Sequence, residues 1–231
     1  MARAFAEIAF TPAVRAQQEK LGSAKAYAHF LDDDETGGTT LGPAETAFIA
    51  ERDGFYQASV SESGWPYVQF RGGPKGFLKV IDETTIAYAD FRGNRQYVSV
   101  GNLTENDRVS LILMDYPNRA RLKVWGRVEF LDADAAPDIA DLVRLPGYKA
   151  RVERIALIRI EAFDWNCPQH IPIRLTLDEL DTHLGPIRDH IARLTAENTA
   201  LKDTLARAGV PPVTEVAARD SSVPPDESSE S

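Results

Sequence analysis

Phe70-Arg71-Gly72-Gly73-Pro74-Lys75-Gly76-Phe77-Leu78-Lys79-Val80-Ile81 is followed, after the Asp82-Glu83 turn, by Thr85-Ile86-Ala87-Tyr88-Ala89 and then Asp90-Phe91-Arg92-Gly93-Asn94-Arg95. The apolar and β-branched content predicts a strand over 76–81 and a second over 85–89, paired as a hairpin. Just upstream, Phe55-Tyr56-Gln57-Ala58-Ser59-Val60 and Trp65 to Phe70 flank a Ser63-Gly64 turn, which makes another hairpin. Downstream, 108–114, 121–131 and 154–163 are strands rich in branched residues. Residues 94–103 and 135–145 carry helical patterns. Six or seven short strands broken by two helices predict a small antiparallel barrel, not a parallel βαβ sheet.

Outside this region the chain changes character. Residues 1–50 form a helical lead-in, with Pro12 starting one helix and Pro43 to Glu51 forming another. Glu45 lies in the first turn of the second, where its charge meets the helix dipole. Asp32-Asp33-Asp34-Glu35 and the Thr and Gly residues after it form an exposed loop.

Beyond the strands, Leu177, Leu180, Leu184, Ile187, Ile191, Leu194, Asn198, Leu201 and Leu205 are spaced alternately by three and four, an unbroken a/d heptad register. Asn198 at an a position favours a parallel two-stranded pair, with Glu197 and Lys202 able to bridge between strands. The other reading is an amphipathic helix lying on its own barrel. Gly185-Pro186 predicts a break with a restart at Pro186, and Gly209 with Pro211-Pro212 predicts the end. The boundaries are therefore 1–50, 51–175 for the barrel, 176–209 for the heptad helix, and 210–231 for a disordered acidic tail rich in Ser, Pro, Asp and Glu.

The 231 residues carry 35 acids against 26 bases, a net charge of −9, which argues against a general nucleic-acid binder. The single Cys167 excludes an internal disulfide framework and a multi-thiolate zinc site. No apolar run reaches a membrane span, and Met1 to Phe10 lacks a signal-peptide core, so a soluble cytoplasmic protein is expected.

Against that negative charge, Arg71, Lys75, Lys79, Arg92 and Arg95 gather at two neighbouring strand ends, a local reversal of sign. With Asn94 and Arg95 opening the helix predicted over 94–103, cations and free N–H groups make an anion site suited to a phosphate monoester. The alternative is a solvated charged face. Gly72, Gly73 and Gly76 are not spaced as a phosphate-binding P-loop.

In Asn118-Arg119-Ala120-Arg121-Leu122-Lys123-Val124-Trp125-Gly126, alternation sends Arg119, Arg121 and Lys123 to one face and Leu122 and Val124 to the other. Phe163-Asp164-Trp165-Asn166-Cys167-Pro168-Gln169-His170-Ile171-Pro172-Ile173-Arg174 is held extended by its prolines, as a pocket wall. Cys167 is either a nucleophile or a small buried residue, and His170 is a wall residue or a ligand. The four His have no metal-ligand spacing. There is no nucleophile elbow.

At these three segments the sequence resembles the FMN-binding split-barrel superfamily, which includes pyridoxamine 5′-phosphate oxidase, and within it a bacterial flavin-nucleotide-binding branch. The stretches 70–80, 90–97 and 165–171, with 121–131, carry the resemblance over about residues 45 to 175. It implies a mainly β fold, a six-stranded antiparallel split barrel with flanking helices, working as a homodimer with FMN at the interface.

Phe77-Leu78-Lys79 stands where the oxidase's Leu-Leu-Lys holds the cofactor. Gly93-Asn94-Arg95 stands where its Ser-Arg-Lys grips the phosphate, with Arg92 in reserve for the missing cation. Lys75 and Arg71 are the candidates for the first Arg of Arg-x-x-Leu-Leu-Lys. Arg121 stands where the oxidase has a Gln, and Trp165 and Arg174 match its Trp and later Arg. Trp165 and His170 are expected to wall the flavin ring, Trp165 being alternatively plain packing. The oxidase's substrate-binding Arg-x-His reads His170-Ile171-Pro172 here, so the resemblance does not extend to vitamin B6 oxidation.

No catalytic side chain and no metal are implied, because the redox chemistry belongs to the cofactor. The expectation is an FMN-dependent oxidoreductase acting on a small molecule, with reduced nicotinamide or oxygen as the other partner, dimeric through barrel and C-terminal helix. The alternatives are a flavin carrier or redox sensor, or a relative of the same barrel that holds haem or a deazaflavin.

Overall fold

The computed structural model describes residues 2–31, 37–165 and 168–210. Residues 32–36 of the loop expected over 32–40, Cys167, and all but Val210 of the acidic tail lie outside the described residues. The chain divides into two compact units, Met1–Arg174 and Leu175–Ser231.

The first unit opens with α1 (Arg3–Ala9), α2 (Pro12–Lys20) and α3 (Ala24–Ala28), and then α4 (Pro43–Ala50). Pro12 starts α2 as expected, with Thr11 capping it through Val14 N–H. Glu45 in the first turn of α4 accepts the Gly42 N–H at 2.9 Å, satisfying a donor that the helix leaves open. Phe5 of α1 stacks on Trp125 at 4.2 Å between ring centres, which seats α1 against the sheet.

The strands are β1 (Gly54–Val60), β2 (Pro66–Gly72), β3 (Lys79–Asp82), β4 (Thr85–Phe91), β5 (Arg108–Asp115), β6 (Ala120–Leu131) and β7 (Val152–Trp165). They are interrupted by α5 (Val98–Glu105) and α6 (Pro137–Val143). All seven form one antiparallel sheet in the order β2-β1-β5-β6-β7-β4-β3. The count is seven where six were expected, and the edge strands β2 and β3 do not pair, so the barrel is not closed.

The sheet nevertheless wraps. β1 and β4 are separated by three strands, about 19 Å in a flat sheet. Yet Tyr88 of β4 donates to Gln57 of β1 at 2.8 Å and sits edge-on to Phe55 at 5.4 Å. The interior is filled from both sides by Phe55, Phe77, Tyr88, Leu111, Leu113, Leu122, Val124 and Ile158. Strict alternation supplies it: Val109, Leu111 and Leu113 of β5 point in, while Ser110 and Ile112 point out.

Three local expectations are corrected. β3 begins at Lys79, not at residue 76. Gly76 has φ +74 and its N–H bonds to Arg52 O, and Phe77 N–H closes a turn on Pro74 O. Gly76 to Leu78 therefore form a turn that tucks Phe77 and Leu78 into the core. α5 begins at Val98, not at residue 94, because Arg95 and Tyr97 adopt left-handed conformations (φ 63 and 54) that cannot lie inside a helix. Arg119 also has positive φ and lies in the β5–β6 turn, so it is not on the face of β6.

The second unit, described to Val210, is α7 (Leu177–Arg207), one uninterrupted helix of 31 residues with Pro186 inside it. The break expected at Gly185-Pro186 does not occur. Proline removes one donor, and the carbonyl it leaves unpaired belongs to exposed Thr182. Gly209 (φ +72) ends the helix as expected, with Val210 N–H on Leu205 O.

Candidate functional site

β2 alternates, so Tyr67, Gln69 and Arg71 share one side of the strand, while Val68 and Phe70 turn to the other. The β2–β1 and β4–β7 pairings bring that side opposite the end of β4, where Asp90 follows Ala89, and opposite the first turn of α5. Between them lies a cavity of about 420 Å3. Phe77 and Tyr88 form part of its wall, and Arg92, Asn94 and Arg95 its rim. Val98, Ser99 and Val100 open α5 onto it. A shallower recess continues past Arg92 and Arg95 to Arg151 and Arg154.

The electrostatics are strongly one-sided. Five guanidiniums (Arg71, Arg92, Arg95, Arg151, Arg154) meet two carboxylates, Asp90 and Glu153. Asp90 is buried between two of them, at 2.6 Å from Arg71 Nη1 and 3.4 Å from Arg154 Nε. Burial pushes its carboxyl above the ordinary range, and the two arginines pull back against that. Arg71 Nε is buried without a hydrogen-bond partner, so this guanidinium keeps donor capacity beyond its pair with Asp90.

The rim is tied by its own bonds. Arg95 Nε donates to Tyr97 Oη at 3.1 Å, and Tyr97 Oη donates to Glu153 at 3.2 Å. Asn94 Oδ1 accepts the Gln96 N–H, a local turn of the kind Asn favours. Ser99 donates to Gln69 at 2.7 Å. No side chain caps α5, so its first N–H groups, on residues that line the cavity, are left without a side-chain acceptor at the positive end of the helix dipole.

Of the twelve candidates, Arg71, Phe77, Arg92, Asn94 and Arg95 meet at this cavity. Leu78 lies in the core. Lys75 is exposed and pairs with Glu51 at 3.6 Å. Lys79 is half-buried at the start of β3. Arg121 is on β6, its Nε buried without a hydrogen bond. Trp165 lies at the end of β7, donates to Glu45 at 2.7 Å and meets Phe48 edge-on. His170 is exposed in a turn with φ 62, and Arg174 stacks on Tyr116 at 4.9 Å. None of these last seven lines the cavity.

Gln69, Tyr97, Ser99, Tyr148 and Glu153 line it and were not candidates. Alternation with Arg71 marks Gln69 in the sequence. Nothing local marks Tyr148 or Glu153, which arrive through the pairing of Phe91 with Val152.

A family model described as Pyridoxamine 5'-phosphate oxidase matches residues 41–161, just over half of the chain. None of the curated proteins matches it. Among solved structures, the chain is similar to an FMN-binding protein from Syntrophomonas wolfei subsp. wolfei, with 15% identity, a TM-score of 0.44, and coverage of 65% of this chain and 97% of that one. It is similar to HupZ of Group A Streptococcus, with 14% identity, a TM-score of 0.43, and 58% and 99% coverage. It is also similar to an F420 reductase, with 20% identity, a TM-score of 0.36, and 50% and 93% coverage.

Proposed function

The chain belongs to the pyridoxamine 5'-phosphate oxidase family, and on that premise we propose that it binds FMN and works as an FMN-dependent oxidoreductase on a small molecule, in the cytoplasm, with reduced nicotinamide or oxygen as the second partner. The observation that carries this reading is the arginine-lined cavity at the uncapped start of α5, in a chain of net charge −9. Its donor set fits a phosphate monoester of about two negative charges: guanidiniums for charge-assisted bonds, open backbone N–H groups, and the buried Arg71 Nε still lacking an acceptor.

In this reading Arg92 and Arg95 hold the phosphate from the rim and Arg71 from the wall. Asp90 and Glu153 offset the mutual repulsion of the clustered arginines and hold them in place. Bound FMN supplies hydride and electron transfer; the protein's part is to bind, orient and shield it. His170-Ile171-Pro172 offers no second cationic grip for a substrate phosphate, so pyridoxamine phosphate is not the expected substrate.

We place a homodimer on the outward face of the sheet. Phe70, Tyr56 and Ile112 lie side by side across β2, β1 and β5, and Phe70 is 58% exposed while also lining the cavity. An apolar row of this kind favours burial against a partner.

The test is the absorption spectrum of the purified protein, with FMN titrated where none is bound. Arg95→Glu reverses a charge on an exposed side chain and is expected to weaken FMN by about a hundredfold or more, at about 1.5–3 kcal/mol per charged hydrogen bond lost plus new repulsion. Unchanged FMN affinity rejects this placement of the phosphate. Oxidation of reduced nicotinamide by the loaded protein separates an enzyme from a carrier. A Soret band in place of flavin absorption would move the reading to haem.

A further inference from the structure

We propose that α7 pairs with α7 of a second copy of this chain as a parallel, in-register, two-stranded coiled coil. The proposal is independent of the flavin reading. The helix is long enough: 31 residues at 1.5 Å each span about 46 Å and carry nine consecutive a/d positions. It is also well made at its ends. Thr176 accepts the Glu179 N–H at 3.2 Å while Glu179 accepts the Thr176 N–H at 2.8 Å, a complete capping box. Gly209 closes the other end.

Yet no residue of α7 is buried, and its apolar seam is open to water, with Leu177 80%, Ile187 54% and Leu201 65% exposed. A 31-residue amphipathic helix draws most of its stability from covering such a seam.

The side chains on and beside the seam choose the occupant. With Leu177 at a, the a positions are Leu177, Leu184, Ile191, Asn198 and Leu205, and the d positions are Leu180, Ile187, Leu194 and Leu201. The Asn198 side chain makes no hydrogen bond among the described residues. In a parallel pair it lies beside its own copy, and the two amides satisfy each other. In a fully overlapped antiparallel pair it would face the region of Pro186 and Ile187, with no polar partner and a cost for the unpaired amide.

Glu197 (g) and Lys202 (e) likewise have no ion pair among the described residues. Five residues apart, they cannot meet on one helix. Across a parallel pair, g reaches the e position of the following heptad, so each Glu197 meets Lys202 of the second copy, twice by symmetry. Gly185 and Pro186 fall at b and c, away from the seam. That is why an internal proline is compatible with pairing: its ring and the unpaired carbonyl face water.

The experiment uses the full chain carrying Cys167→Ser with one new cysteine at a time: Leu201→Cys or Leu194→Cys at d, and Ala196→Cys at f. Parallel d positions lie side by side, whereas f positions face outward. Mild oxidation should therefore link two chains through either d cysteine at least about tenfold more than through the f cysteine, and the product should sediment as two chains. Circular dichroism of each variant confirms that helix content is retained. No linkage at either d position, equal linkage at d and f, or a species of three or more chains overturns the proposal. FMN content measured on the same samples should stay unchanged, which keeps failure here distinct from failure of the flavin site.

Discussion

Gly126→Ala is the sharpest test of how the barrel is held together. Gly126 lies in β6 where the register with β7 shifts, between Trp125 opposite Ala162 and Gly126 opposite Ile160. A Cβ there would lie 2.4 Å from the carbonyl oxygen of Arg159 and 2.8 Å from Ile158 Cγ2, against an ordinary contact of 3.4 Å or more. The shortfall is about 1 Å, and the obstacle is the backbone of β7, not the end of a flexible side chain. To fit one methyl, the central pair of the sheet has to separate or bend.

Overpacking of this kind costs about 1–3 kcal/mol, and a backbone obstacle in the most extensive strand pair puts the expectation near 3 kcal/mol. For a unit of this size that corresponds to about 6–12 °C in Tm. Thermal and urea unfolding followed by circular dichroism give the value. The control is Gly101→Ala, in α5 with open space around the position, where the same chemical change should stabilise by about 0.5–1 kcal/mol. If Gly126→Ala unfolds within about 1 kcal/mol of the parent, the close packing of β6 on β7 is not as described.

Other outcomes follow from buried polar groups. Tyr88→Phe leaves the buried Gln57 amide without its hydrogen bond, since Gln57 Nε2 already lacks a partner. The cost should be about 1–3 kcal/mol, largely recovered when Gln57→Leu is added, as a double-mutant cycle would show. Asp115 combines burial, which raises its pKa, with the stronger opposing effect of Asn118 hydrogen bonds and the Arg52 charge, so its folded pKa lies below the ordinary 3.8. Its contribution is then complete above about pH 4 and lost as pH falls below 3.8 through the folded value. Asp115→Asn should flatten that acid limb in unfolding titrations.

Much of this protein is written in local pattern. The hairpin of β1 and β2, the alternation along β5 and the heptads of α7 are periodicities of two and three and a half, and they survive folding because each depends only on neighbours a few residues away. Even the cations at 71, 92 and 95 stand out as a group along the chain, although Arg71 on β2 meets the other two only because the sheet wraps.

Where φ turns positive, at Arg95 and Tyr97, pattern misplaced the start of α5, because nothing in those side chains announces a left-handed turn. The wrap of the sheet, which makes Tyr88 touch Gln57, was beyond local reading. So was the fate of Phe77 and Leu78, both sealed in the core, of which only Phe77 also borders the cavity. Glu153 and Tyr148 reach the arginines only because β4 pairs with β7, some sixty residues on.

Local pattern was enough to place most of the strands, the heptad helix and the sign of the site. Tertiary structure alone decided which of twelve plausible side chains share one cavity, because strand register and sheet curvature are set by packing between distant segments, and no spacing along the chain records them.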